Sequence, residues 1–127
     1  MAVLGVGGLF VRSKDPEASM AWYRDVLGLQ LDQYGGITFS HGEAAARYGD
    51  GARTIFARFK DDTDYFRPSA QPFMINLLVD DLDALLERIK AHGVELIGEP
   101  ESYDYGRFAW IMDPDGVKIE LWESVEL

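Results

Sequence analysis

The chain has 127 residues, with 12 Lys and Arg against 22 Asp and Glu, for a formal charge of −10; such an excess of negative charge repels phosphate backbones and anionic lipid surfaces and argues against nucleic-acid or membrane-surface partners. Cysteine is absent, which rules out disulfides, thiolate metal sites and cysteine nucleophiles and accords with a reducing compartment. The residues are 47% hydrophobic and 13% aromatic, enough to close one sizeable core. No segment approaches the ~18 apolar residues of a membrane span, and no basic region precedes the apolar stretch after Met1, so an unexported, cytoplasmic protein is expected.

Gly5 to Val11 alternates loosely between small and apolar residues and reads as a half-buried strand. Asp15 followed by Pro16 then signals a helix start, Asp15 as the cap and Pro16 in the first turn. Ala18, Trp22 and Val26 give that helix an apolar stripe, and Gly28 suits a left-handed stop. Residues 37–48 are ambiguous, since their alanine run fits a helical turn as well as a strand, whereas residues 53–60 alternate as a strand does. Residues 61–72 are polar, carry Pro68 and Pro72 and lack periodicity, so they read as a connection.

The pattern then repeats. Phe73 to Val79 reads as a strand, Asp80 as the cap of a helix bearing Leu82, Leu85, Leu86 and Ile89 on one face, and His92-Gly93 as its end. Val94 to Ile97, Arg107 to Met112 and Val117 to Glu123 follow as strands, the last two joined by the turn Asp113-Pro114-Asp115-Gly116. Each half is strand, helix, then three strands. The expected architecture is α+β: two βαβββ modules in one domain, module one over about 3–60, the connection over 61–72 and module two over 73–125.

Three segments carry a family resemblance: AWYRDVLGL (21–29), MINLLVDDLDALLERIKAHGVEL (74–96) and MDPDGVKIELWE (112–123). In this order and spacing they resemble the vicinal-oxygen-chelate superfamily, which includes glyoxalases, extradiol dioxygenases and bleomycin-resistance proteins. The resemblance implies a concave mixed sheet with helices on its convex side, pairing of modules in a homodimer, and a metal held by the first and last strands of each module. Matched motif to motif, the metal-ligand positions are Val6, Phe56, Met74 and Glu120. Only Glu120 can bind a metal, so no metal or other cofactor is expected.

Strand parity, which is independent of that resemblance, assigns the faces. Val117, Ile119 and Leu121 suit the helices, leaving Lys118, Glu120 and Trp122 on the cleft side. The same alternation puts Met74, Asn76 and Leu78 there, and Thr54, Phe56 and Arg58. If Met112 pairs with Val117, then Ala109 opposes Glu120 and Arg107 opposes Trp122 in the cleft while Trp110 packs inward; a shift of one residue exchanges Arg107 and Trp110.

The candidate site is therefore Glu120 with Phe56, Arg58, Met74, Asn76, Arg107 and Trp122. The apolar members offer contact area, and the two guanidinium groups suit an anionic or planar ligand. Glu120 is either an ion-pair partner of Arg107 or Arg58, or a general base with a pKa raised by desolvation. His92 reads as a helix-end residue and His41 as a surface one, with His41 and Glu43 as a displaced metal site in the enzyme reading. Tyr65, Phe66, Tyr103 and Tyr105 read as a lid, a rim or a subunit interface. The leading expectation is a metal-free protein that binds a small anionic or aromatic molecule. The alternatives are a lyase, isomerase or dioxygenase-like enzyme and an interaction protein with a vestigial pocket.

Overall fold

In the computed structural model, which describes residues 1–125, Asp15 and Pro16 open the first helix, α1 (Pro16–Leu27), as their chemistry dictates. The Asp15 carboxylate accepts the backbone N–H of Ala18 at 3.1 Å, and Gly28 ends the helix at φ 71°, where a side chain would be strained. The buried face is rotated from the expected stripe: it carries Ser19, Tyr23, Val26 and Leu27. Two hydroxyl residues tolerate burial there because acceptors await them. Ser19 Oγ donates to Asp115 Oδ2 at 2.8 Å and Tyr23 Oη to Asp113 Oδ2 at 2.6 Å. These bonds fasten α1 to the hairpin of the second half.

The alanine run resolves as a helix, α2 (His41–Tyr48), followed by a short 3₁₀ turn at Gly49–Gly51. Gly5 to Val11 and residues 53–60, expected as strands, run without ladder partners among the described residues, as do the residues beside them. Their apolar side chains, including Leu4, Phe10, Ile55 and Phe56, are exposed.

The second half forms as a complete βαβββ unit: β1 (Ile75–Leu78), α3 (Leu82–Ala91), β2 (Glu101–Tyr103), β3 (Gly106–Met112) and β4 (Lys118–Ser124). The sheet order is β1-β4-β3-β2, with β1 parallel to β4 and the other pairs antiparallel. The cap of α3 is Asp81, one residue after the expected Asp80, and its carboxylate accepts the Ala84 N–H at 3.1 Å. Val94 to Ile97 is not a strand. Ile97 N–H nevertheless bonds Trp110 O at 2.7 Å, and the ladder to β3 begins only at Glu101.

Helices α1 and α3 cover one face of this sheet. Tyr23, Val26, Leu27, Leu82 and Ile89 pack on Ala109, Ile111, Val117, Ile119 and Leu121, and each fully buried aliphatic side chain contributes about 1.5–3 kcal/mol through removal from water. Among the described residues the fold is α+β, a mixed four-stranded sheet with three α-helices. Burying one face in the helices leaves alternate side chains of β1, β3 and β4 on the other.

Candidate functional site

Alternation along β4 directs Lys118, Glu120 and Trp122 away from the helices, as the sequence predicts, but β3 sits one residue off the expected register. Trp110 opposes Glu120, Phe108 opposes Trp122 and Met112 opposes Lys118. The cause is the turn. Asp113 N–H bonds Val117 O at 2.9 Å, and Gly116 N–H bonds Asp113 O at 3.1 Å, leaving Pro114, Asp115 and Gly116 as a three-residue loop. Such loops need a left-handed residue at their end, and Gly116 supplies it at φ 74°. The Asp113 carboxylate locks the loop by accepting Asp115 N–H and Val117 N–H.

The shift exchanges Arg107 and Trp110, so Arg107 leaves the predicted site. It turns to the helix side, where Nη2 meets Asp83 Oδ1 at 2.7 Å and Nη1 lies 3.8 Å from Glu123 Oε2. The hydrogen-bonded Asp83 keeps the guanidinium pKa above its usual value. Phe56 and Arg58 are not gathered with Glu120 either. Both lie on the exposed 52–60 segment, with the guanidinium carbon of Arg58 4.7 Å from the Phe56 ring centroid. Asn76 and Trp122 are on the Glu120 face as expected, since Asn76 is the ladder neighbour of Glu120 and Leu78 that of Trp122. Met74, which precedes β1, is half-buried.

Glu120 is the centre of the arrangement. It is 8% exposed, and three donors converge on its carboxylate. Oε1 accepts from Asn76 Nδ2 at 2.8 Å, while Oε2 accepts from Trp110 Nε1 at 2.8 Å and from the Tyr65 hydroxyl. Burial and the bond to Glu120 both push the Tyr65 phenol above its usual pKa. Lys118, also buried, sends its ammonium to Tyr65 O at 2.6 Å and lies 4.9 Å from the Tyr65 ring centroid and 5.8 Å from that of Trp110. Desolvation lowers its pKa, and the charge of Glu120 partly restores it.

Beside this cluster is a cavity of about 340 Å³ lined by Tyr65, Glu101, Tyr103, Tyr105, Phe108, Trp110 and Glu120. Its walls include pairs of parallel rings. Phe108 lies at 13° to Trp110, with centroids 6.3 Å apart, and Tyr103 lies at 5° to Tyr105 at 5.3 Å; Trp122, outside the lining, stacks on Phe108 at 3° and 6.1 Å. Gly106 makes room for this packing. At φ 144°, a Cβ there would lie 2.5 Å from Trp122 Nε1, whose N–H is held by Tyr105 O at 3.2 Å. Phe108, Trp110 and Glu101 were missing from the predicted site, and the only local signal for them was the aromatic, small, aromatic alternation of Phe108-Ala109-Trp110. A larger groove of about 800 Å³ runs along α3 and residues 94–96, but no aromatic side chain lines it.

A sequence model of the Glyoxalase/Bleomycin resistance protein/Dioxygenase superfamily matches residues 5–121. The chain belongs to that superfamily. No curated protein matches it. Among solved structures, it is similar to TnmS3, an antibiotic binding protein from Streptomyces sp. CB03234, at 26% identity over 98% of this chain and 99% of that one, with a TM-score of 0.60. It shares its fold with a superfamily member from Sphaerobacter thermophilus DSM 20745, at 22% identity over 98% of each chain and a TM-score of 0.52. It likewise shares it with a glyoxalase/dioxygenase from Nostoc punctiforme, at 19% identity over 99% of each chain and a TM-score of 0.56.

The metal that the superfamily resemblance implies does not fit the residues present. Val6 and Phe56 are exposed and apolar, Met74 offers only a thioether, and both oxygens of Glu120 face N–H and O–H donors. That shell suits an anion, whereas a cation ligand needs its lone pairs free. His41 and Glu43 lie exposed in the first turn of α2, and among the described residues no group of three or more His, Asp or Glu side chains could hold a metal ion. His92 closes α3, with Nδ1 2.9 Å from Arg88 O.

Proposed function

We propose that this protein binds a small aromatic molecule in the cavity on the open face of its sheet and works without a metal. The aromatic walls of Phe108, Trp110, Tyr103 and Tyr105, with Trp122 stacked behind Phe108, carry this reading, because flat rings recruit flat ligands through area and offset stacking. Similarity to an antibiotic binding protein over nearly its whole length supports it. The charged residues of the lining are Glu101 and Glu120, and Arg58 and Arg107 stand elsewhere, so the arrangement favours a neutral aromatic ligand over an anionic one. Three of the roughly four lone-pair sites of the Glu120 carboxylate are engaged by donors, which argues against its use as a general base. Asn76, Trp122 and Glu120 remain in the proposed site, joined by Tyr65, Phe108 and Trp110.

The protein is further proposed to act as a homodimer in the cytoplasm, in keeping with its cysteine-free sequence. Exposed Val3, Leu4, Leu9, Phe10, Ile55, Phe56 and Phe59 form apolar surface on extended segments, and a second copy would bury it and supply ladder partners. No helix among the described residues is long and apolar enough to cross a membrane.

Thermal shift against neutral polycyclic aromatics, with and without chelator, tests the reading, and light scattering measures the oligomeric state. Stabilisation that survives chelator and disappears in Phe108→Ala supports it. Failure of a broad aromatic panel to shift the wild-type protein would favour a vestigial pocket, and a shift that chelator abolishes would restore the metal.

A further inference from the structure

Two of the three donors on Glu120 belong to the sheet. Asn76 and Trp110 are its ladder neighbours on β1 and β3, so their positions are set by backbone pairing on either side. The third donor, Tyr65, comes from the connection 61–72, 55 positions away in sequence. Tyr65 is 38% exposed while its acceptor is 8% exposed. The connection is a strap tied down at few points: Tyr65 O to Lys118 Nζ at 2.6 Å, Ser69 Oγ to Gly116 O at 2.5 Å, and ring contacts of Phe59 with Tyr65 and Phe66. Phe59 itself is exposed.

The strap delivers to the carboxylate a phenol standing at 84° to the Trp110 ring, centroids 6.4 Å apart. The Tyr65 ring is also a wall of the cavity. Chemically this is a neutral aromatic hydroxyl, bonded to a buried anion and packed edge-on against an indole.

Resting on the aromatic-binding reading above, we propose that Tyr65 is a built-in stand-in for the ligand. The site takes an aromatic molecule bearing a hydroxyl donor, which displaces the Tyr65 phenol, gives its own hydrogen bond to Glu120 Oε2 and stacks along the ring wall. The sheet-borne donors keep the carboxylate aimed while the strap exchanges. Tyr65 thereby keeps a buried charge satisfied when no ligand is bound, and its departure opens the cavity towards the carboxylate. Discrimination follows from the same exchange: an aromatic ether cannot donate, so on displacing Tyr65 it would leave Oε2 one partner short.

The test is calorimetric titration of the full chain with 2-naphthol and 2-methoxynaphthalene, which differ in the donor. Wild-type protein is expected to bind 2-naphthol about tenfold more tightly than the ether, the equivalent of about 1.4 kcal/mol. Tyr65→Phe, which removes the internal competitor, should tighten both probes by about the same factor, roughly tenfold, and leave the ratio between them nearly unchanged. Ser69→Ala loosens the strap without touching the carboxylate shell and should shift 2-naphthol in the same direction by a smaller factor, so the test survives if Tyr65→Phe folds poorly. Equal binding of both probes, with 2-naphthol unaffected by either variant, overturns the stand-in role and leaves the aromatic pocket standing. Binding of neither probe overturns the pocket reading and this inference with it.

Discussion

Removing the carboxylate at position 120 tests the central geometry most directly, because its three donors differ in their freedom to find water. In Glu120→Ala, Asn76 and Tyr65 are exposed enough to turn to solvent, and each loses about 1 kcal/mol, less than the roughly 1.5–3 of a buried bond to a charged acceptor because water replaces the carboxylate. Trp110 is buried, with its indole N–H aimed at Oε2, and stranding that donor costs about 1–3 kcal/mol. The expected loss is about 3–5 kcal/mol, a large share of the roughly 5–15 kcal/mol that holds a domain of this size together. Glu120→Gln should lose only about 1–2 kcal/mol: its oxygen can stay on the Trp110 side, and Asn76 can reverse its amide to accept from the new NH₂. Urea unfolding followed by tryptophan fluorescence at pH 7 measures both. A loss below about 1 kcal/mol for alanine, or equal losses for the two variants, would refute the account of Glu120 as an anion held by three donors. A chelator that reproduced the alanine loss in wild-type protein would refute it in favour of a metal.

Gly106→Ala should displace Trp122, whose Nε1 would lie 2.5 Å from the new Cβ; near-ultraviolet dichroism should change and aromatic ligands should weaken, while intact spectra with unchanged binding would show the close approach to be unimportant. Tyr23→Phe removes a buried 2.6 Å bond to Asp113 and should cost about 1.5–3 kcal/mol, as bonds to charged acceptors do. Burial and Asp113 raise the Tyr23 phenol above its ordinary pKa of 10.0. Its stabilising effect is thus fully present below pH 10 and lost as the pH rises beyond that, at a slope of about 1.4 kcal/mol per pH unit that Tyr23→Phe should abolish in alkaline urea titrations. Arg107→Ala should leave aromatic-ligand affinity unchanged in calorimetry, since the side chain faces Asp83 on the helix side; a tenfold weakening would return Arg107 to the cleft.

Legibility in the sequence followed the range of the forces involved. Caps and stops are local chemistry: Asp15-Pro16, Gly28 and His92 announced the ends of α1 and α3 because side chain and backbone meet within a few residues. The 3.6-residue stripe of α3 and the two-residue alternation of β4 were equally readable, so Ile119 and Leu121 fell in the core and Glu120 and Trp122 opposite. The α1 stripe was less so, because burial of Ser19 and Tyr23 depends on Asp115 and Asp113, 96 and 90 positions away. The strands expected at Gly5 to Val11 and at 53–60 show the same limit, since alternation marks a segment able to pair but cannot supply the neighbour.

The sequence by itself determined the superfamily, the α+β class and the Glu120 face, since each rests on motifs or on periodicity within one element. Tertiary structure alone decided the composition of the site. A three-residue loop ending in left-handed Gly116 moved β3 by one residue, which brought Trp110 and Phe108 beside the carboxylate and sent Arg107 to the helices. The partner of Glu120 lay further still from local reach. Arginine is the natural counterpart of a buried carboxylate, but the fold meets that charge with three neutral donors, one carried in by the strap from 55 residues away. A neutral donor shell can satisfy a buried anion as a cation can, and only the packed chain shows which of the two is present.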